Sequence, residues 1–344
     1  MAVIFIAIAL LFIIRAQMNK KVLSVFIGIA LFVISIGKDI MSNGDLMSYQ
    51  NGYYLKQFST FGDLWNGYLL GDIKDFGYQA LAKTFSTLGL PVEVWFGFIA
   101  LVFAVCVAVA LYRSSADPFI AVIILFTFYF AFTLSGLRQT VAMGLIIWSY
   151  QYIKERRLAP YLALFVVAFF FHASAIIFFP AYWLWNLRVG YKQLFAVAGA
   201  LAICVFAPGL LRLVIARVAW TDYMMTYATR DVSLSWAGYI IQFGMLLFCY
   251  ALRKSIPAEK AQSCVDPYIN FMVVGLCLIG ASTIVAEMFR LSYYYLMASM
   301  FAIPNIIMNM ERRNAKIAYT CVCGALLLYL TYGNFYASFN LFGG

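Results

Sequence analysis

The sequence has little charge for its length and almost no histidine. Its 344 residues include 24 lysines and arginines, 14 aspartates and glutamates, and one histidine, His172. Charged residues make up 11% of the chain, against about 25% in soluble domains. Hydrophobic residues reach 65%. This composition excludes an ordinary soluble domain and is typical of a polytopic helical membrane protein.

The cysteines and the single histidine leave no pattern for a metal site. None of the seven cysteines forms a Cys-x-x-Cys pair, and one histidine cannot complete a Cys/His zinc site. We therefore predict no bound metal and no cofactor. The net charge of +10 comes without a basic–aromatic nucleic-acid module, so no nucleic-acid partner is predicted either.

Long apolar runs cover most of the chain, and they predict an all-α polytopic membrane protein with one integral membrane domain over residues 1–344. Polar or basic stretches separate these runs. The expected helices lie near 2–14, 22–37, 92–112, 117–134, 137–153, 158–187, 191–209, 235–252, 267–286, 291–310 and 315–333.

The distribution of basic residues predicts how the chain crosses the bilayer. If 158–187 makes two short crossings that turn near His172, there are about twelve transmembrane helices. Most lysines and arginines then lie in inner loops, as the positive-inside rule requires. The two larger polar segments, 38–91 and 210–234, then lie outside and form an extracytoplasmic cap.

Arg138 and Arg290 are each expected in the first turn of a membrane helix, at its outer end. Unpaired amides and the helix dipole favour an anion there, and a guanidinium adds bidentate binding of phosphate or carboxylate. The alternative is snorkelling to the outer headgroups or, for Arg290, an i,i+3 pair with Glu287.

His172 stands inside an apolar stretch, where a polar side chain is a functional candidate. A neutral imidazole near neutral pH suits a general base. The alternative is a structural histidine that bonds to a backbone carbonyl and helps the chain to turn.

The first outer segment combines carboxylates with aromatic side chains. Asp45 is expected to cap a helix that carries Tyr49, and an Asp-Phe-Gly-Tyr run follows at Asp75–Tyr78. This combination suits sugar binding and equally suits an interfacial aromatic belt. In the second segment, Arg212 and Arg217 predict an amphipathic surface helix, while Arg230 is a weaker ligand candidate.

Several of these residues form a pattern that resembles the EpsG/Wzy-type bacterial polysaccharide polymerases, from about residue 40 to about residue 310. The pattern has aspartate where we would expect glutamate, at Asp75. Its elements are Asp45 with Tyr49, the Asp75–Tyr78 run, Leu-Arg-Gln continuing to Ala142, Phe-His-x-Ser-Ala at 171–175, and Arg-x3-Tyr at 290–294.

The resemblance implies a metal-independent glycosyltransferase of the bacterial cytoplasmic membrane, with its active site on the extracytoplasmic side. It would join oligosaccharide repeat units carried on undecaprenyl diphosphate, which serve as donor and acceptor. The bilayer, a chain-length regulator and a flippase are candidate partners. The expected roles are His172 as catalytic base, Arg138, Arg290 and Arg230 as diphosphate ligands, and Asp45, Tyr49, Asp75, Tyr78 and Glu287 as sugar contacts.

Three other functions stay open from the residues alone. An O-antigen ligase-like glycosyltransferase would use the same chemistry. A membrane O-acyltransferase could also use one intramembrane histidine, but its acyl donor would usually have to reach that histidine from the cytoplasmic side. A lipid-linked sugar flippase or transporter would want polar residues through the bilayer midplane.

Overall fold

The computed structural model describes residues 2–41, 43–207, 209, 236–282 and 288–332. All regular secondary structure in these ranges is helical, which confirms the predicted all-α class. The chain divides into two compact units. Unit 1 contains residues 1–179 and 316–344, and unit 2 contains residues 180–315. The prediction of one membrane domain over 1–344 stays a prediction.

The described residues of unit 1 form ten α-helices between residues 2 and 171. They are α1 (Ala2–Arg15), α2 (Lys20–Ile36), α3 (Gly44–Leu55), α4 (Phe61–Leu70), α5 (Phe76–Thr87), α6 (Val92–Ser114), α7 (Pro118–Phe128), α8 (Phe130–Ser135), α9 (Leu137–Lys154) and α10 (Leu158–Phe171).

The described helices of unit 2 continue the numbering. They are α11 (Ala181–Leu184), α12 (Tyr191–Phe206), α13 (Trp236–Arg253), α14 (Ala258–Cys264), α15 (Asp266–Ala281), α16 (Met288–Leu296) and α17 (Ser299–Asn309). Helix α15 packs against α12, α13 and α16. The last helix, α18 (Arg312–Tyr332), begins in unit 2 and continues into unit 1.

Helix α9 is the central helix of unit 1. It packs between α6 and α10, and most of its residues are buried, including the polar Gln139 and Thr140. The Thr140 hydroxyl contacts the carbonyls of Gly136 and Thr133, each at 3.0 Å. A helix enclosed by protein needs no continuous apolar surface, which explains how α9 carries polar residues.

Helix α10 ends at Phe171, directly before His172, where the sequence predicts that the chain turns. His172 has extended dihedrals (φ −156°, ψ 112°), and a 3₁₀ helix, Ala173–Phe178, follows it directly. The Tyr161 hydroxyl binds the returning chain through the carbonyls of Phe178 and Phe179, both at 2.9 Å. The long apolar span 158–187 is therefore broken at the histidine.

The polar segment 38–91 is folded and contains α3, α4 and α5. Asn43 caps α3 by accepting the amides of Asp45 and Leu46, so the expectation that Asp45 is the cap was wrong. Thr60 and Asp63 form a capping box at the start of α4. Capping of this kind offsets the cost of short helices that lie outside the apolar runs.

Three described helical stretches are long and apolar enough to cross a membrane. They are Val92–Ser114, which is α6, Met288–Asn309, which contains α16 and α17, and Arg312–Thr331, which lies in α18. A pair bent by 52°, Ala258–Cys264 with Asp266–Ala281, makes a fourth if it is one span. Six shorter apolar helices accompany them. The count of about twelve crossings stays a prediction, because length and composition identify only these three or four.

Candidate functional site

Three predicted site residues from distant parts of the sequence are in contact. Arg138 and His172 both contact the carboxylate of the third, Asp75. Oδ2 of Asp75 lies 2.7 Å from Nη1 of Arg138 and 3.1 Å from Nδ1 of His172. Oδ1 accepts the backbone amide of Ala173 at 2.9 Å. All four residues belong to unit 1. One carboxylate thus holds together the start of α5, the start of α9 and the break after α10.

An unusual backbone turn directs Asp75 toward these partners. Asp75 precedes α5 with left-handed dihedrals (φ 57°, ψ 57°), a region that aspartate tolerates better than most residues. Its carbonyl accepts the amide of Gln79, as expected of an N-cap residue, but its side chain caps no amide of α5. The carboxylate that would usually cap the helix is instead used across the structure.

Gly77 allows α5 to approach the end of α10 closely. A Cβ on Gly77 would lie 3.0 Å from the Phe170 carbonyl oxygen and 3.2 Å from its carbon. These distances are shorter than ordinary carbon contacts, so any larger residue would push α5 away. The Asp75–Tyr78 run therefore combines a carboxylate with the glycine that brings it within reach of His172.

Arg138 lies in the first turn of α9, where the sequence predicts it, and contacts an aromatic residue of the segment 38–91. Its Nε donates to the Tyr49 hydroxyl at 3.4 Å, and its guanidinium lies 5.6 Å from the centroid of that ring. Tyr49 in turn packs against Tyr78, and the indole of Trp95 donates to the Tyr78 hydroxyl at 3.3 Å. This chain of contacts orients the guanidinium.

The three central side chains differ in what they leave open to a ligand. The Asp75 side chain is 3% exposed, whereas those of Arg138 and His172 are 31% and 25% exposed. A ligand can therefore reach the guanidinium and the imidazole while the carboxylate stays covered beneath them.

The site carries an excess of positive charge. Burial raises the pKa of Asp75, but the hydrogen bond with His172, the charge of Arg138 and the Ala173 amide outweigh it, so the pKa lies below its ordinary value. Burial and repulsion from Arg138 lower the pKa of Lys56. Burial and repulsion from Arg138 also lower the pKa of Lys74, although attraction to Asp75 partly offsets this shift. Arg138 thus has two lysines near it and one ionised carboxylate against it, and this excess of basic groups favours an anionic ligand.

Aromatic rings line the same part of unit 1. Trp65, 43% exposed, lies 5.1 Å from Phe76, and Tyr68 lies 5.7 Å from Phe76 and 6.4 Å from Phe170, measured between ring centroids. Phe76 directly follows Asp75, so this aromatic cluster adjoins the polar site. Exposed rings beside polar groups can stack on the apolar faces of sugars.

Of the remaining predicted site residues, Asp45 and Arg290 are among the described residues, and Arg230 and Glu287 are not. Asp45 is exposed in the first turn of α3, one turn before Tyr49. Arg290 belongs to α16 of unit 2, with its guanidinium 5.6 Å from the Phe289 ring. Arg230 and Glu287 lie outside the described residues, as does the segment 210–234 with Arg212 and Arg217.

Sequence reasoning missed the lysines near the site. Lys38 donates to the carbonyl of Leu134 at 3.1 Å, just before α9, and burial lowers its pKa to about 7. Lys56 and Lys74 are near Arg138, as described above. Their placement depends on the folding of 38–91, and no motif marks them. Within the described residues, no group of three histidine, cysteine or acidic side chains is placed to hold a metal ion.

Comparison with known proteins gives one family match. A sequence model described as the EpsG family matches residues 43–342, which confirms the resemblance seen in the motifs. Neither the curated proteins nor the solved structures provide a match. The family points to a polysaccharide polymerase-type role, and together with the apolar helices it identifies a membrane protein.

Proposed function

The chain belongs to the EpsG family, and from this membership we propose that it polymerises oligosaccharide repeat units carried on undecaprenyl diphosphate. The enzyme would be a glycosyltransferase. Its donor would be the growing chain or a repeat unit on the lipid carrier, and its leaving group would be the lipid diphosphate. A chain-length regulator and a flippase are the partners that such a reaction would need.

The observation that carries this proposal is the joint contact of Arg138 and His172 with one oxygen of Asp75. The two side chains are neighbours, each has an exposed face, and their chemistry is complementary. A guanidinium stabilises the charge of a departing diphosphate, and an imidazole can accept a proton from an attacking hydroxyl. Glycosyl transfer to a sugar acceptor needs both functions at adjacent places.

In the proposed step, Nε2 of His172 accepts the proton of an acceptor hydroxyl. The hydroxyl oxygen then forms a bond to the anomeric carbon of the donor sugar. The bond between that carbon and the diphosphate oxygen breaks, and the diphosphate leaves with the electron pair. Arg138 stabilises the charge that develops on it. Arg290, which belongs to the family pattern, and Arg230, a weaker candidate in the polar segment 210–234, remain the further proposed diphosphate ligands.

Sugar contacts are best assigned to residues that a ligand can reach. We propose Tyr49, Asp45 and the exposed face of Trp65 for this role, with Glu287 as a further candidate. Tyr78 is 4% exposed and packs between Tyr49 and Trp95, so it supports Tyr49 rather than facing a sugar.

The charge distribution supports a particular orientation in the membrane. With about twelve crossings, the segment 38–91 and the break at His172 face the extracytoplasmic side of the bacterial cytoplasmic membrane, and most basic loops face inside. We propose that orientation, with the whole chain acting as one membrane domain.

The test is polymerisation by the purified protein in liposomes that contain lipid-linked repeat units. We expect a ladder of products that differ by one repeat unit, with release of the lipid diphosphate. The Asp72→Asn variant, changed at an exposed residue of the same segment, should give the same ladder. Transfer of one unit to a different acceptor without a ladder would support the ligase-like alternative, and no transfer at all would refute glycosyl transfer.

A further inference from the structure

We infer that Asp75 is a positioning residue that sets the tautomer of His172 and ties it to Arg138, rather than a sugar ligand. This role rests on the proposed function, because it concerns the same site. It assigns Nδ1 of the imidazole to Asp75 and leaves Nε2 as the atom that meets the acceptor hydroxyl.

The contact between the two side chains determines where the imidazole proton resides. Nδ1 of His172 lies 3.1 Å from Oδ2 of Asp75. An ionised carboxylate can only accept hydrogen bonds, so Nδ1 must be the donor. In a neutral imidazole one nitrogen carries the proton and the other accepts. In the neutral imidazole that a general base requires, Nε2 is therefore the unprotonated nitrogen.

The surroundings of Asp75 leave little access for a ligand to its carboxylate. Its two oxygens already accept from Arg138, His172 and the amide of Ala173. Only 3% of the Asp75 side chain is exposed, whereas Arg138 and His172 both have exposed faces. A sugar hydroxyl would have to displace one of these donors to reach the carboxylate.

The backbone around Asp75 is arranged to make these contacts. The residue occupies a left-handed conformation and gives up the capping bond that an aspartate at this position would usually form. Gly77 lets α5 lie against the Phe170 carbonyl, one residue before α10 ends. Two local departures from the usual helix start therefore serve a single placement of the carboxylate.

The shared oxygen also links proton transfer to anion binding. When His172 accepts the acceptor proton, it becomes an imidazolium whose charge the Asp75 carboxylate balances. Arg138 is held by the same Oδ2 through Nη1, and 31% of its side chain is exposed. Asp75 thus keeps the base and the diphosphate ligand at a constant separation through the reaction.

His172 is the only histidine, so nitrogen NMR can observe its tautomer without resonance assignment. The protein would be labelled with ¹⁵N-histidine and purified through a tag that contains no histidine. We expect the wild type to show a protonated Nδ1 and an unprotonated Nε2 at neutral pH. A protonated Nε2 with an unprotonated Nδ1 in the wild type would overturn the inference, and this measurement needs no variant.

Two variants sharpen the test. In Asp75→Asn and Asp75→Ala the signals should shift toward a protonated Nε2, and the turnover number should fall about 10²-fold or more, while the KM for the lipid-linked donor changes little. Asp72→Asn is the matched control and should leave the spectrum unchanged. Variants with the wild-type spectrum, or with a raised donor KM and a normal turnover number, would instead make Asp75 a sugar ligand. A wild type that makes no polymer would refute the proposed function, yet the tautomer measurement would still decide the role of Asp75.

Discussion

Replacing Gly77 by alanine tests whether the close approach of α5 to α10 holds the site together. The added Cβ would lie 3.0 Å from the Phe170 carbonyl oxygen and 3.2 Å from both its carbonyl carbon and its Cβ. Two of these three atoms belong to the backbone, so no side chain can rotate to relieve the contact. The start of α5, and Asp75 with it, must move by a few tenths of an ångström.

The magnitude follows from two opposing effects. Alanine in a helix is favoured over glycine by about 0.5–1 kcal/mol, which would stabilise α5. Overpacking of this kind costs about 1–3 kcal/mol, so the net destabilisation lies between about 0 and 2.5 kcal/mol. A displacement of 1 Å can reduce catalysis about 10²-fold, so a smaller shift should reduce polymerisation about tenfold.

The assay compares Gly77→Ala with Gly52→Ala in reconstituted liposomes. Gly52 lies inside α3 of the same segment 38–91, and a Cβ there would meet nothing within 4 Å. We expect Gly52→Ala to polymerise at the wild-type rate with equal or higher stability, while Gly77→Ala loses most of its rate. Equal rates for both variants would refute the claim that this contact positions Asp75.

Three further predictions follow from the site and from the proposed topology. Arg138→Lys should express normally yet form polymer about 10²-fold more slowly, because an ammonium lacks the bidentate fork, and full activity would show that Arg138 only snorkels. Because the folded pKa of Asp75 lies below its ordinary value of about 3.9, its stabilising effect should be complete above that pH and disappear as the pH falls through the folded pKa. Thermal unfolding from pH 7 to pH 2 should show this loss in the wild type and not in Asp75→Asn. In a cysteine-free background, Asn66→Cys should react with an impermeant thiol reagent from outside and Asn314→Cys only after permeabilisation, and outside labelling at position 314 would contradict the proposed orientation.

The parts of the fold that follow local patterns were predictable. The apolar runs located most helices. The single histidine, His172, marked the break in the span 158–187, because a polar residue within an apolar run is energetically costly and therefore indicates a structural or functional feature. Periodicity did not show that the run 117–134 divides at Tyr129 into α7 and α8. Residues Tyr129 and Phe130 are fully buried, so composition alone gives no sign of that irregularity.

The residues of the candidate site could be predicted from the sequence, but the contacts between them could not. Arg138, His172, Asp75 and Tyr49 were all identified as candidates, and the structure brings them together. The pairing of Asp75 with His172 joins residues 97 positions apart, and no local pattern encodes such a contact. Asp75 was grouped with sugar ligands because its sequence neighbours are aromatic, whereas its covered carboxylate is a property of the packed structure.

The most direct test of the central claim is single-turnover transfer from a lipid-linked donor to one acceptor repeat unit. Wild type, His172→Gln and His172→Ala would be compared at saturating donor. We predict that both variants bind the donor but transfer about 10²–10⁴-fold more slowly, because neither side chain can accept the acceptor proton. Glutamine can still form the hydrogen bonds of a structural histidine. Transfer at the wild-type rate by His172→Gln would therefore show that the histidine is structural, and the base would have to be sought among Asp45, Asp75 and Glu287.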